Sequence, residues 1–137
     1  PELAPQPGLA QLERLIEQLR RAGLAIELTV EGQPRQLAPG VDLSAFRIIQ
    51  EALTNVLKHA GGASTNVTLS YQPEGIMLTI IDTDAHASAV LATEASDGHG
   101  VIGMRERAAL FGGSLSTKAL PDGFKVTATL PYEPVAS

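Results

Sequence analysis

A chain of 137 residues, 44% of them hydrophobic, is the size of one domain and can bury a core; with aromatics at 4%, that core must rest on Leu, Ile, Val and Ala. A net charge of −5 leaves no electrostatic footprint for nucleic acid, so an anionic ligand would have to be held by local backbone N–H groups or a metal ion. The absence of cysteine excludes disulfides, thiolate catalysis and cysteine-based zinc sites and fits a reducing compartment, and no apolar run approaches the roughly 18 residues of a membrane span.

Residues 1–8 hold three prolines and read as a linker remnant, with the domain itself at 9–137. No basic segment precedes an apolar stretch, so no signal peptide is expected. A start at Pro1 instead of methionine is expected of a piece of a longer protein. From Leu9 to Arg21 the apolar positions Leu12, Leu15, Ile16 and Leu19 have helical spacing, and Gly23 stops the helix. Leu24, Ile26, Leu28 and Val30 alternate as in a half-buried strand. Glu31-Gly32 predicts a turn, and Gln33 to Leu37 a weak return strand placed at an edge by Pro34. Pro39-Gly40 reads as a break. A second helix follows, capped by Asp42 or Ser44 and running to about Ala60, with Phe46, Ile49, Leu53, Val56 and Leu57 buried and Gly61-Gly62 ending it. Val67, Leu69 and Tyr71 alternate, as do Ile76, Leu78 and Ile80 after a turn at Pro73-Glu74-Gly75, which predicts an antiparallel hairpin with one buried face.

After Asp82 the periodicity fails, and residues 83–100 are rich in Ala, Ser, Asp and Gly. A loop this long inside a compact domain is usually functional, such as a lid. Val101 to Leu110 is predicted helical, stopped by Gly112-Gly113. Ser114–Ala119 and Lys125–Leu130 are predicted strands around Pro121-Asp122-Gly123. Strands interleaved with three helices suggest an α+β two-layer sandwich, the helices covering one face of a mixed sheet.

Three features carry candidate chemistry. Glu51, Asn55 and His59 stack on one face of the second helix. Such a face is ordinarily just solvated, but a mid-helix Asn is a poor helix former, its amide oxygen is a hard ligand suited to magnesium, and a nearby carboxylate can orient a water or accept a proton. Asp82 continues the inward alternation of Ile76, Leu78 and Ile80, so its carboxylate would be buried and need a donor, for which an adenine amino group would serve; a turn-initiating Asp is the plainer reading. Gly98-His99-Gly100-Val101-Ile102-Gly103 opens the third helix and can bring backbone N–H groups to phosphates. It is neither a Walker loop nor a dinucleotide fingerprint, for no Gly-Lys-Ser/Thr follows and no hydrophobic strand feeds it.

The run Phe46 to Ala60 closely resembles the N box of histidine kinases, and Gly98 to Arg107, with its Gly-Met-Arg-Glu-Arg segment, resembles their second glycine box. Leu115 to Pro131 is similar to their closing hairpin. The form of both boxes resembles the nitrate-sensor and DesK-like kinases, over roughly residues 10–131. The resemblance implies the Bergerat or GHKL fold, a mixed, mostly antiparallel sheet covered on one face by about three helices, with ATP held under a lid formed by residues 83–97. It implies Asn55 as the Mg2+ ligand, Glu51 as the catalytic residue that polarises a water or assists the acceptor, Lys58 and His59 near the phosphates, and Asp82 on the adenine. Gly98, Gly100 and Gly103 match the phosphate loop, and His99, Val101 and Met104 among them are expected to line the nucleotide.

The first glycine box, usually Asp-Asp-Gly-x-Gly, reads Asp82-Thr83-Asp84-Ala85-His86, and the usual Gly-Thr before the last strand is Gly123-Phe124. Loss of both box glycines is expected to weaken nucleotide binding without abolishing it. None of the three histidines, His59, His86 and His99, follows the family's acceptor pattern, and two of them without a third ligand make a poor metal site. The expected activity is therefore transfer of the ATP γ-phosphate to a histidine on a separate dimerisation domain of the same protein, serving a helix-turn-helix response regulator indirectly. The domain is expected in the cytoplasm, in a parent with or without a membrane anchor, touching neither nucleic acid nor membrane itself. The alternatives are a degenerate docking module of pseudokinase type and a related GHKL ATPase or serine kinase.

Overall fold

A computed structural model describes residues 7–60, 64–83 and 99–134. A 3-10 turn at Leu9–Gln11 leads into helix α1 (Leu12–Arg21), which buries Leu12, Leu15, Ile16 and Leu19 as its spacing predicts. Gly23, at φ +107°, turns the chain out of α1 in the left-handed conformation open to glycine. Strand β1 (Ala25–Glu31) follows. Arg20 ties helix to strand, donating through Nε and Nη2 to the Ile26 carbonyl at 3.2 and 2.8 Å. The alternation of β1 fades along the strand: Ile26 is buried, Leu28 is half-buried against the core, and Val30 is 50% exposed where β1 lies at the sheet edge.

The expected return strand at Gln33–Leu37 does not form. Pro34 has no N–H to give a ladder, and the segment is held by other contacts: Arg35 lies 4.0 Å over the Tyr132 ring, Leu37 is buried, and Ala38 N–H donates to the Tyr132 carbonyl at 2.9 Å. Helix α2 (Pro39–Ala60) then starts earlier than predicted. Pro39 is no break, since its fixed φ and missing N–H suit the first helical position. Asp42 lies inside the first turn, not at the cap, and accepts from Leu9 N–H at 2.9 Å, while Ser44, two residues on, is buried inside the helix. The apolar stripe is wider than predicted: Val41, Ala45, Ile48 and Ala52 join Phe46, Ile49, Leu53 and Val56 in the core, while Leu57 is half-buried.

Strands β2 (Ser64–Tyr71) and β3 (Gly75–Asp82) form the predicted hairpin. Helix α3 (His99–Ala109) starts two residues before the predicted Val101. Its end is closed by Gly112 N–H on the Ala109 carbonyl and Gly113 N–H on the Ala108 carbonyl. Strands β4 (Ser114–Leu120) and β5 (Gly123–Pro131) pair around Pro121-Asp122 alone, Gly123 belonging already to β5. The sheet runs β1-β2-β3-β5-β4, parallel only between β1 and β2, where α2 makes the crossover. One sheet face carries Val67, Leu69, Leu78, Ile80, Val126 and Ala128, all buried beneath the helices. The other presents the row Glu27, Asn66, Ile81, Lys125, Lys118. This is the expected α+β two-layer sandwich. Tyr71 and Tyr132 stack with centroids 6.5 Å apart, at the sheet end opposite Asp82; burial first, then Asp42 and Tyr132, raises the Tyr71 phenol above its ordinary value. No helix of the described residues is long and apolar enough to cross a membrane.

Candidate functional site

Helix α2 has two faces, and the second one makes a cleft. Ile49, Leu53 and Val56 go into the core, which turns Arg47, Glu51, Asn55 and Lys58 the other way by the 3.6-residue period. These residues line a cleft of roughly 570 Å3 whose further wall is Arg107 of α3. Such a volume is within the usual range of small-molecule sites. Glu51 and Asn55 are half-buried; Thr54 and Lys58, on the rim, are exposed. On α3, Val101, Met104 and Ala108 are buried, fixing the helix against α2 and leaving Arg107 at the cleft.

The charges in the cleft do not follow those of the whole chain. Arg47, Lys58 and Arg107 surround one carboxylate, Glu51, although the chain carries −5. Arg107 Nε stands 3.6 Å from Glu51 Oε2, an ion pair just outside hydrogen-bond reach, and this shielded Nε has no hydrogen-bond partner among the described residues. Arg47 Nη1 donates to Gln50 Oε1 at 2.8 Å, which holds that guanidinium along the helix. The arrangement suits an anion with several oxygens, and the single carboxylate has a guanidinium to orient it.

Glu51, Asn55 and Lys58 are thus brought together as their spacing predicts. Asp82 is not on this cleft wall. It lies at the end of β3, 2% exposed, between Thr65 on β2 and Phe124 on β5. The inward register predicted for its carboxylate is the one adopted. Gly123 allows this: a Cβ there would sit 1.9 Å from the Asp82 carbonyl oxygen. Val101 and Met104 face the core, at 7% and 1% exposure, and not the cleft. The backbones of His99, Gly100 and Gly103 belong to α3, and a Cβ at Gly103 would meet nothing within 4 Å. His59 lies in α2; nothing further is described of its side chain. Gly98, Asp84-Ala85-His86 and all of the expected lid beyond Thr83 lie outside the described residues.

Two residues of this region were given no role by sequence reasoning. Arg107 was legible only as part of a motif, since its pairing with Glu51 spans 56 positions and two helices. Thr65 was reachable by extending the alternation of Val67 and Leu69 one step back, but a threonine in a strand raises no signal by itself.

Residues 40–134 match the family described as histidine kinase-, DNA gyrase B-, and HSP90-like ATPase. Sensor histidine kinase YxjM of Bacillus subtilis (strain 168) is 35% identical over 127 residues, which is 90% of this chain and 30% of that protein. Sensor histidine kinase LnrJ of the same organism is 34% identical over 125 residues, 89% of this chain and 30% of that protein. The chain therefore spans about 30% of the length of these curated relatives. Among solved structures, Acinetobacter baumannii histidine kinase AdeS superposes with a TM-score of 0.70 at 14% identity, covering 92% of this chain and 66% of that one. Mycobacterial sensor histidine kinase MprB gives 0.63 at 22% identity, covering 93% and 95%. At these identities the structural likeness establishes the fold.

Proposed function

Since the chain belongs to the histidine kinase-, DNA gyrase B-, and HSP90-like ATPase family, we propose that it is the Mg-ATP-binding catalytic domain of a sensor histidine kinase. The observation that carries this reading is the α2 cleft, where Asn55 and Glu51 stand side by side among three cations. In this reading residues 9–137 are the catalytic domain and 1–8 a linker remnant.

Each residue then has a task. Asp82 accepts a hydrogen bond from the adenine amino group. Asn55 offers its amide oxygen to magnesium. Magnesium commonly enters with the phosphates and takes one or two protein ligands. When bound, that ion would neutralise phosphate charge. Lys58, Arg47 and Arg107 add positive charge at the same wall, and the N-terminus of α3, with Gly100 in its first turn, offers free backbone N–H groups to the phosphates. Glu51 assists the phosphoryl acceptor, held in place by Arg107. Catalysis of this kind is positioning and charge neutralisation.

The acceptor is a histidine on a dimerisation domain of the full-length protein, with a helix-turn-helix response regulator further downstream. We place the domain in the cytoplasm, where ATP is available. Incubated with γ-labelled ATP, this chain alone is expected to remain unlabelled, because His59, His86 and His99 stand in no acceptor context. Addition of the full-length protein's dimerisation segment should give acid-labile phosphate on that segment. Acid-labile phosphate on this chain would contradict the assignment.

A further inference from the structure

The inward-facing rows of the sheet are apolar except at one end. One row across β1, β2, β3 and β5 reads Leu28, Val67, Ile80, Val126; the next toward the sheet end reads Ile26, Thr65, Asp82, Phe124. All four residues of this end row are buried, Thr65 at 1% exposure. Among the described residues the Thr65 hydroxyl has no hydrogen-bond partner. Valine would have the same shape there without leaving a buried polar atom unsatisfied, and such atoms are rare in native structures because they are costly. The hydroxyl therefore calls for a partner beyond the described residues. Its position says which one: Thr65 and Asp82 are direct cross-strand partners, and such pairs stand about 4.5–5.5 Å apart at Cβ.

Building on the reading of Asp82 as the adenine contact, we infer that the Thr65 hydroxyl donates a hydrogen bond to adenine N1 while Asp82 accepts from the 6-amino group. The two groups then read one edge of the base together. A carboxylate can accept about four hydrogen bonds, so the pairing needs no vacancy at Asp82. Phe124, on the other side of Asp82, brings no donor or acceptor side chain, which leaves Thr65 as the row's hydroxyl. Guanine presents a carbonyl oxygen at position 6 and N–H at N1. It would set an acceptor against the Asp82 carboxylate, so the pair also selects adenine over guanine.

The test is a calorimetric cycle in magnesium buffer with ADP and 1-deaza-ADP, in which N1 is replaced by C–H. Against the wild-type chain, Thr65→Val should bind ADP about five- to tenfold more weakly. Wild type should prefer ADP over 1-deaza-ADP by a similar factor, and Thr65→Val should bind the two equally. Thr65→Ser keeps the hydroxyl and should bind ADP within about twofold of wild type. Without nucleotide, Thr65→Val should melt at or above the wild-type temperature, since it removes an unsatisfied group. Wild-type affinity in Thr65→Val, or the same analogue preference in both proteins, overturns the assignment of Thr65 alone. Equal loss in the Ser and Val variants overturns it in favour of packing. Absence of ADP binding by the wild-type chain overturns the adenine reading of Asp82 as well.

Discussion

Replacement of Asn55 by Ala is expected to abolish the magnesium dependence of nucleotide binding. The wild-type chain should bind ADP more tightly with magnesium than with EDTA, and in Asn55→Ala the two affinities should converge. Asn55 is half-buried on the cleft face of α2, one helical turn from Glu51 and beside Lys58. Its amide oxygen is an uncharged hard ligand there. Loss of a ligand should cost at least the roughly 10–100-fold that removal of an outer-shell partner costs at metal sites. The helix itself should not suffer, because Ala is the better helix former by a few tenths of a kcal/mol or more. Melting curves should therefore coincide or shift upward, separating lost ligation from lost folding. Thr54→Ala, one position away on the exposed rim, is the control and should leave the magnesium dependence intact. An undiminished magnesium effect in Asn55→Ala would remove Asn55 from the metal site.

Gly123→Ala is expected to damage both the fold and the site. The new Cβ would lie 1.9 Å from the Asp82 carbonyl oxygen and 3.2 Å from Thr83 Cα. Both are backbone atoms, so no side-chain rotation relieves the clash; β5 must move away from β3 at the residue that holds the buried carboxylate. Overpacking of a tight site costs about 1–3 kcal/mol, and backbone against backbone belongs at the upper end. For a domain of this size that corresponds to a melting temperature lower by on the order of 10 °C. ADP affinity should fall together with stability, because Asp82 is displaced. Gly103→Ala is the counterpart: its Cβ meets nothing within 4 Å, and Ala in a helix is favoured over Gly by about 0.5–1 kcal/mol. A Gly123→Ala variant as stable as wild type would mean that β3 and β5 are not so closely apposed.

What the sequence disclosed depends on how local the determining physics is. The polar stripe of α2 and the inward register of Asp82 follow from periods of 3.6 and 2.0 along single elements, and both were legible. The parallel pairing of β1 with β2 was not, because it is made across the whole length of α2 and has no signature in either strand alone. A hairpin between β1 and residues 33–37 was the simplest local guess, and Pro34, which was read as marking an edge, removes the strand altogether. Pro39 is ambiguous for a related reason: a proline that breaks a helix interior also begins one well, and only the burial of Val41 and Ala45 selects between these uses. The Glu51–Arg107 pair and the partnerless Thr65 hydroxyl are properties of packing between elements, visible only when the helices and strands are assembled.

Whether this chain holds a magnesium–adenine nucleotide is decided by calorimetric titration with ADP. Saturable binding at one site per chain is expected, weakened when EDTA removes magnesium and weakened again when GDP replaces ADP. Because Asp84-Ala85-His86 stand where the family carries two glycines, the affinity should be about tenfold below that of an Asp84→Gly/His86→Gly variant. Absence of binding by both proteins at millimolar ADP, with the fold intact by its melting transition, would contradict the account and leave a docking module of the same fold.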